Sequence, residues 1–135
     1  MNTADVMSPE QLITQLLGTP YAPGGNTYDA LDCFGVIEVW YRDVLGIEVE
    51  DRAAHPPTHT GLNNGVESVS EWEAVEAPED HCLVLMQSGR LKHGHIGVYY
   101  HGNVIHSDRK HNACVCQSIN DRQIKPYVTG FLRHK

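Results

Sequence analysis

The chain predicts an α+β fold, with N-terminal helices packed on an antiparallel sheet. Three features carry this reading. Apolar residues recur at helical spacing in the first third of the chain, and they alternate with a period of two after Cys82. A His101-Gly102 turn then sends one strand candidate straight back along its neighbour. A length of 135 residues is that of one domain able to bury a core. Hydrophobic and charged fractions of 41% and 20% are ordinary for a soluble globular protein.

Ser8-Pro9-Glu10 supplies an N-cap, a first-turn proline and an early acid, so the first helix starts there. Leu12, Ile13, Leu16 and Leu17 follow at helical spacing, and Gly18 is a stop. Residues 19–30 hold two prolines and two adjacent glycines, which is loop chemistry. A second helix is expected over 32–45, closed by Gly46, with Cys33, Val36, Ile37, Trp40 and Val44 on one stripe. Residues 51–64, with Pro56, Pro57 and Gly61, read as a long irregular loop. A short helix capped by Ser68 or Ser70 is expected over 68–75. Strands follow at 82–86, 95–100 and 103–107, with a polar connection over 87–94. The segments 113–119 and 128–132 complete the sheet. No repeat, low-complexity tract or boundary divides the chain, so residues 1–135 are expected to form a single domain.

The formal net charge is -7 and no run of Lys or Arg interrupts it. Binding to nucleic acid or to an anionic membrane surface needs a concentrated positive face, and neither is expected. No apolar run is long enough to insert across a bilayer. Residues 1–10 lack the basic and apolar regions of a signal peptide, which implies synthesis in a cytoplasm. Reducing conditions there oppose disulfides among the four cysteines. Cys82 lies in an apolar run and Cys114 and Cys116 alternate on a strand, so these three read as small packing residues.

Cys33 differs. A thiol attacks only as its thiolate, and the start of a helix lowers thiol pKa through the aligned peptide dipoles. Cys33 stands at such a start, after a Gly-rich loop that gives a substrate backbone room to approach. Its place on the apolar stripe points it toward the sheet. A first-turn cysteine is nonetheless more often a packing residue. The histidines change the balance. A two-residue turn at 101–102 sets Gly97 opposite His106 and His95 diagonally beside it on the same face, with Ile96, Val98, Tyr100 and Ile105 on the other. Gly97 leaves room between the imidazoles, whereas an odd loop would flip the register and separate them. Two half-exposed strand histidines are the plainer alternative in a chain with nine. In the sharper one, Cys33 is a nucleophile, His95 its base and His106 the residue that orients the base.

A zinc site is a further alternative, drawing on His93, His95, His101, His106, His111, Cys114 and Cys116. His93 stands before the strand, however, and Cys-x-Cys is not the usual zinc spacing, so no metal is expected. His55, His59, His81 and His134 read as loop, turn or terminal surface residues.

At these residues the sequence resembles the NlpC/P60 family of papain-like cysteine peptidases. Gly18-Thr19-Pro20-Tyr21-Ala22-Pro23-Gly24-Gly25 is similar to the family's G-x-P-Y-x-x-G-G, and Asp32-Cys33-Phe34-Gly35 to its D-C-S-G. His95-Ile96-Gly97-Val98-Tyr99 is similar to its H-V-G-I-Y, and Val104-Ile105-His106 to the strand bearing the third catalytic residue. The resemblance implies a papain-like fold with a Cys33, His95, His106 triad and no metal or cofactor. It also implies a Tyr21 hydroxyl in the site and an Asp32 carboxylate that helps hold substrate. The implied substrate is the peptidoglycan stem peptide, cut between D-glutamate and diaminopimelate. Phe34 stands where many members carry Ser, which implies a more apolar pocket.

The runs at 32–35, 40–42, 45–48 and 130–135 resemble more narrowly the NlpC/P60 proteins of long-tailed phages. That implies a virion tail-tip protein whose partners are other tail-tip proteins and whose task is cell-wall penetration. Two alternatives share the fold. One is a structural tail-assembly protein with little or no hydrolysis, and the other is an amide transfer through the same thioester chemistry.

Overall fold

The computed structural model describes residues 6–49 and 72–135. Helix α1 spans Pro9–Leu16 behind a complete capping box: Ser8 Oγ accepts from the Gln11 amide at 3.1 Å, and Gln11 Oε1 accepts from the Ser8 amide at 3.0 Å. Leu12 and Leu16 are fully buried. Helix α2 spans Cys33–Trp40 and continues as a π-helical turn, Tyr41–Leu45, that ends at Gly46 with φ +68°. Together these cover the segment expected as one helix. The wider turn leaves the Tyr41 hydroxyl donating to the His81 carbonyl while the ring packs edge-on against Trp72. Among the described residues no helix is long and apolar enough to cross a membrane.

The segment expected as loop before α2 contains a small hairpin of β1, Asn26–Thr27, and β2, Ala30–Leu31. The main sheet has six strands: β3 Trp72–Val75, β4 Leu83–Ser88, β5 Leu91–Tyr100, β6 Asn103–Asp108, β7 Ala113–Ser118 and β8 Val128–His134. Their order is β3-β8-β4-β5-β6-β7 and every pairing is antiparallel. The mixed α+β fold with an antiparallel sheet is therefore as the sequence predicts, and β4 to β7 form the expected meander. β8 departs from it by inserting between β3 and β4.

Two local expectations are corrected. Residues 72–75 are a strand, not the end of a helix; the rest of that expected helix, and the 51–64 loop, lie outside the described residues. Here alternation wins over helical spacing: Trp72 is buried against Tyr41 and His134, and Glu73 points out to Arg133. The polar stretch 87–94 is not a loop either. β4 and β5 extend through it to a tight turn at Gly89, because ladder hydrogen bonds carry the hairpin beyond its apolar part.

The sheet has two apolar faces. Leu83, Leu85, Ile96, Val98, Ile105 and Leu132 meet Leu12, Leu16, Val36, Ile37 and Trp40 of the helices in the main core. Val84, Met86, Val104 and Ile124 form a smaller cluster on the other face. The entry to α2 is tighter still. A Cβ added at Gly35 would stand 1.9 Å from the Gly25 carbonyl oxygen, so the first turn of α2 lies directly on the Gly-rich loop. At Gly25 that loop is a packing surface, while a Cβ at Gly24 would meet nothing within 4 Å. Overpacked sites typically lose about 1–3 kcal/mol. Gly35→Ala is expected to lose at least that much, read as a lowered urea midpoint with an unchanged m-value.

Candidate active site

Asp32 builds the site. It is the N-cap of α2 and is only 7% exposed. Its Oδ1 accepts from the Gly35 amide at 2.7 Å and its Oδ2 from the Gly24 amide at 2.8 Å. One carboxylate thus caps the helix and ties the Gly-rich loop to it, and the next residue, Cys33, becomes the first residue of the helix. Asp32 and Phe34 are buried and neither lines the cavity described below, although the sequence suggested a substrate contact for one and a more apolar pocket from the other.

On the sheet, the His101-Gly102 turn sets the expected register, pairing Val98 with Ile105 and Tyr99 with Val104. A Cβ at Gly97 would stand 3.1 Å from His106 Cβ and 2.7 Å from Val104 Cγ1, so only glycine fits between the two histidines. His95 Nε2 and His106 Nδ1 are 2.8 Å apart with the rings at 73°. By strand alternation the pair shares its face with Met86 and Val104, the smaller cluster, opposite the face that carries Ile96, Val98 and Ile105, as the sequence suggested. The site forms where β6 runs out. Ser107, fully buried, donates its hydroxyl to the Leu31 carbonyl at 3.0 Å, two residues before Cys33. Residues from both faces therefore meet there.

An open cavity of about 400 Å³ occupies that place, with Tyr21, Cys33, His95 and His106 all on its wall. Arg109, Lys110 and His111, from the turn after β6, line another side, and the Arg109 guanidinium lies 5.4 Å from the centre of the Tyr21 ring. His106 is buried and His95 half-buried. Burial, followed by the neighbouring His106, holds His95 below the ordinary histidine range, and burial likewise lowers His106, so both are neutral near pH 7. The thiols outside the cavity favour the protonated form: burial pushes Cys82 up to about 11 and Cys114 up to about 12, and raises Cys116 as well.

Three residues around His106 carry no motif in the sequence. Gln117 Oε1 lies 2.7 Å from His106 Nε2, and its amide nitrogen donates to Gln123 Oε1 at 2.9 Å. Asp108 Oδ2 is 3.7 Å from His106 Nδ1, while its Oδ1 takes the amide and the ring of His111, each at 2.8 Å. A polar Gln on the inner face of a strand was the available signal for Gln117, but only the β6-β7 register reveals its partner. The ligand atoms of His95, His106 and Asp108 lie within 4.8 Å of one another. Metal–nitrogen bonds of about 2.0–2.1 Å would set two nitrogens about 3.3 Å apart on a tetrahedral ion. The observed 2.8 Å is a hydrogen-bond length. Of the other histidines of the alternative zinc set, His93 contacts Thr129 at 2.8 Å and His101 pairs with Asp80 at 3.1 Å, both apart from these, while His111 is held on Asp108. His81 and His134 are not plain surface residues. The first accepts from Trp40 Nε1 at 3.1 Å, and the second packs edge-on to Trp72.

Residues 18–133 match the NlpC/P60 family. NlpC2 and NlpC1 from Trichomonas vaginalis share the fold, with TM-scores of 0.67 and 0.65, each at 20% identity over 92% of this chain. This chain spans only 45% and 42% of those two proteins. The NlpC/p60 domain of peptidoglycan hydrolase SagA aligns over 100% of both chains, with a TM-score of 0.59 and 19% identity. No curated protein matches in sequence. With the match running from the Gly-rich approach to Cys33 through the last strand, on a fold that these structures share, the chain belongs to the NlpC/P60 family.

Proposed function

We propose that the chain is a cysteine endopeptidase or amidase that hydrolyses peptidoglycan stem peptides at the bond between D-glutamate and diaminopimelate. One observation carries this reading. Cys33, at the first position of a helix, lines the same open cavity as a buried His106 and a half-buried His95 in hydrogen-bond contact. That the whole-length fold match to SagA is a domain of a peptidoglycan hydrolase supports the substrate. Arg109 and Lys110 on the cavity wall suit the carboxylates of a stem peptide. The narrower resemblance to long-tailed phage proteins supports a place in a virion tail tip, among other tail proteins.

Since His95 Nε2 is taken up by His106, its Nδ1 receives the thiol proton. The thiolate adds to the amide carbonyl and forms the S–C bond, and the positive end of α2 favours the developing negative charge. His95 returns the proton to the amine as the C–N bond breaks. Water, deprotonated by the same imidazole, then hydrolyses the thioester and restores the thiol. His106 orients His95, and the Tyr21 hydroxyl lies against the substrate.

Purified peptidoglycan digested with the native protein is expected to release fragments cut at the D-glutamyl bond, read by mass spectrometry, and Cys33→Ala is expected to release none. If neither protein cuts, the alternative of a structural tail-assembly component takes the place of this one. In a timed labelling experiment at pH 7.5, a thiol reagent is expected to modify Cys33 first, and to leave Cys82 and Cys114 until the protein unfolds. Stability should also depend on pH. The folded pKa values of His81, His95 and His106 lie below the ordinary 6.5, so the unfolded chain binds more protons. Their contribution is fully present above pH 6.5 and is lost as pH falls below it, by at most about 1.4 kcal/mol per pH unit for each group. The urea midpoint is expected to fall between pH 7 and 5, with a shallower slope in His106→Asn.

A further inference from the structure

We propose that Gln117 is a positioning residue: held by Gln123, it fixes the proton of His106 on Nε2 and thereby leaves His95 Nδ1 bare, in the cavity whose wall Cys33 shares. The hydrogen bonds have a direction. The Gln117 amide nitrogen donates to Gln123 Oε1, so the Gln117 oxygen faces His106 Nε2 at 2.7 Å. An amide oxygen only accepts, and His106 Nε2 must therefore carry the hydrogen. A neutral imidazole has one N–H, which leaves His106 Nδ1 bare. The nitrogen 2.8 Å away, His95 Nε2, must then be the donor. Neutral His95 with its hydrogen on Nε2 has a bare Nδ1, the form a general base needs.

Without Gln117 the order has a competitor. The Asp108 carboxylate, 3.7 Å from His106 Nδ1, favours the proton on that nitrogen instead. A proton there would turn His106 into a donor toward His95 Nε2 and force the His95 hydrogen onto Nδ1, where it blocks the thiol. The charged and titratable groups facing His106 are His95 from β5, Asp108 at the end of its own strand, and His111 from the following turn. Cys33, Arg109 and Lys110 share the cavity wall. Among the described groups in contact with His106, Gln117 offers a carboxamide oxygen whose own amide nitrogen is engaged by Gln123.

The first test needs no substrate, and so stands apart from the hydrolase reading on which the kinetic test rests. Nitrogen-15 imidazole spectra at pH 7.5, in a Cys33→Ala background, are expected to show His106 and His95 both protonated at Nε2 and bare at Nδ1. Adding Gln117→Leu is expected to move the His106 hydrogen to Nδ1 or to mix the two forms. In the active protein, Gln117→Leu should lower kcat by roughly 10- to 100-fold, within the range that general acid–base catalysis supplies, with KM little changed. Gln117→Glu keeps the acceptor but adds charge. It should recover activity at alkaline pH and move the acid limb of the pH–rate profile up by about one unit or more. His106 protonated at Nδ1 in the unaltered relay would overturn the proposal. So would a Gln117→Leu variant with unchanged tautomers and unchanged kcat. Should Gln117→Leu fail to fold, the spectra without it and the Gln117→Glu profile decide.

Discussion

The site depends on the Asp32 carboxylate. Each of its oxygens takes one backbone amide, Gly24 from the loop before α2 and Gly35 from the helix's first turn. Two segments that would otherwise diverge are fixed on one another, and Cys33 is the residue between them. The absence of side chains at Gly25 and Gly35 makes the contact possible, since backbone lies on backbone there. An N-cap is usually worth about 1 kcal/mol of helix stability. Here it also sets where a sulfur stands relative to a sheet, which a stability measurement alone would not register.

On the sheet side the arrangement is governed by dipoles rather than net charge. His95, His106, Gln117 and Gln123 form a chain of neutral groups in successive hydrogen-bond contact, ending in the bond that Gln117 donates to Gln123. Burial favours neutral imidazoles, and the amide at the end of the chain accepts without demanding a charge. The one carboxylate nearby, Asp108, is occupied largely by His111. Such a relay has no buried anion to balance, which suits a cavity whose wall already carries Arg109 and Lys110.

Much of this was legible in the sequence, and the reasons differ by residue. The His95–His106 pair followed from a two-residue turn and strand alternation, because a period of two leaves little freedom once the turn is placed. The first helix followed from Ser8, Pro9 and Gly18. Trp72–Val75 did not, since a four-residue strand at a sheet edge carries almost no periodicity and draws its identity from a partner over fifty residues away. Asp32 was legible by type and position, but its role needed knowledge of what lay opposite. That the imidazoles sit opposite Ile96, Val98 and Ile105 followed from the same alternation, whereas the second, smaller apolar cluster on their own face could be seen only once the strands were paired. Gln117 escaped for the same reason, since its meaning lies in the pairing of β7 with β6.

The insertion of β8 has a consequence for how the molecule assembles. β4 presents the apolar run Leu83–Met86, and one of its two ladders is made with residues 128–132. During synthesis, that edge exists for some forty residues before its partner leaves the ribosome. β3 waits longer, because β8 is its partner as well. Pairing at such sequence distance is slow to close, and an unpaired apolar edge is the kind of surface on which nascent chains associate. The meander β4 to β7 can form from local turns, so the histidine pair is in place early. The sheet that supports it is sealed only when β8 arrives.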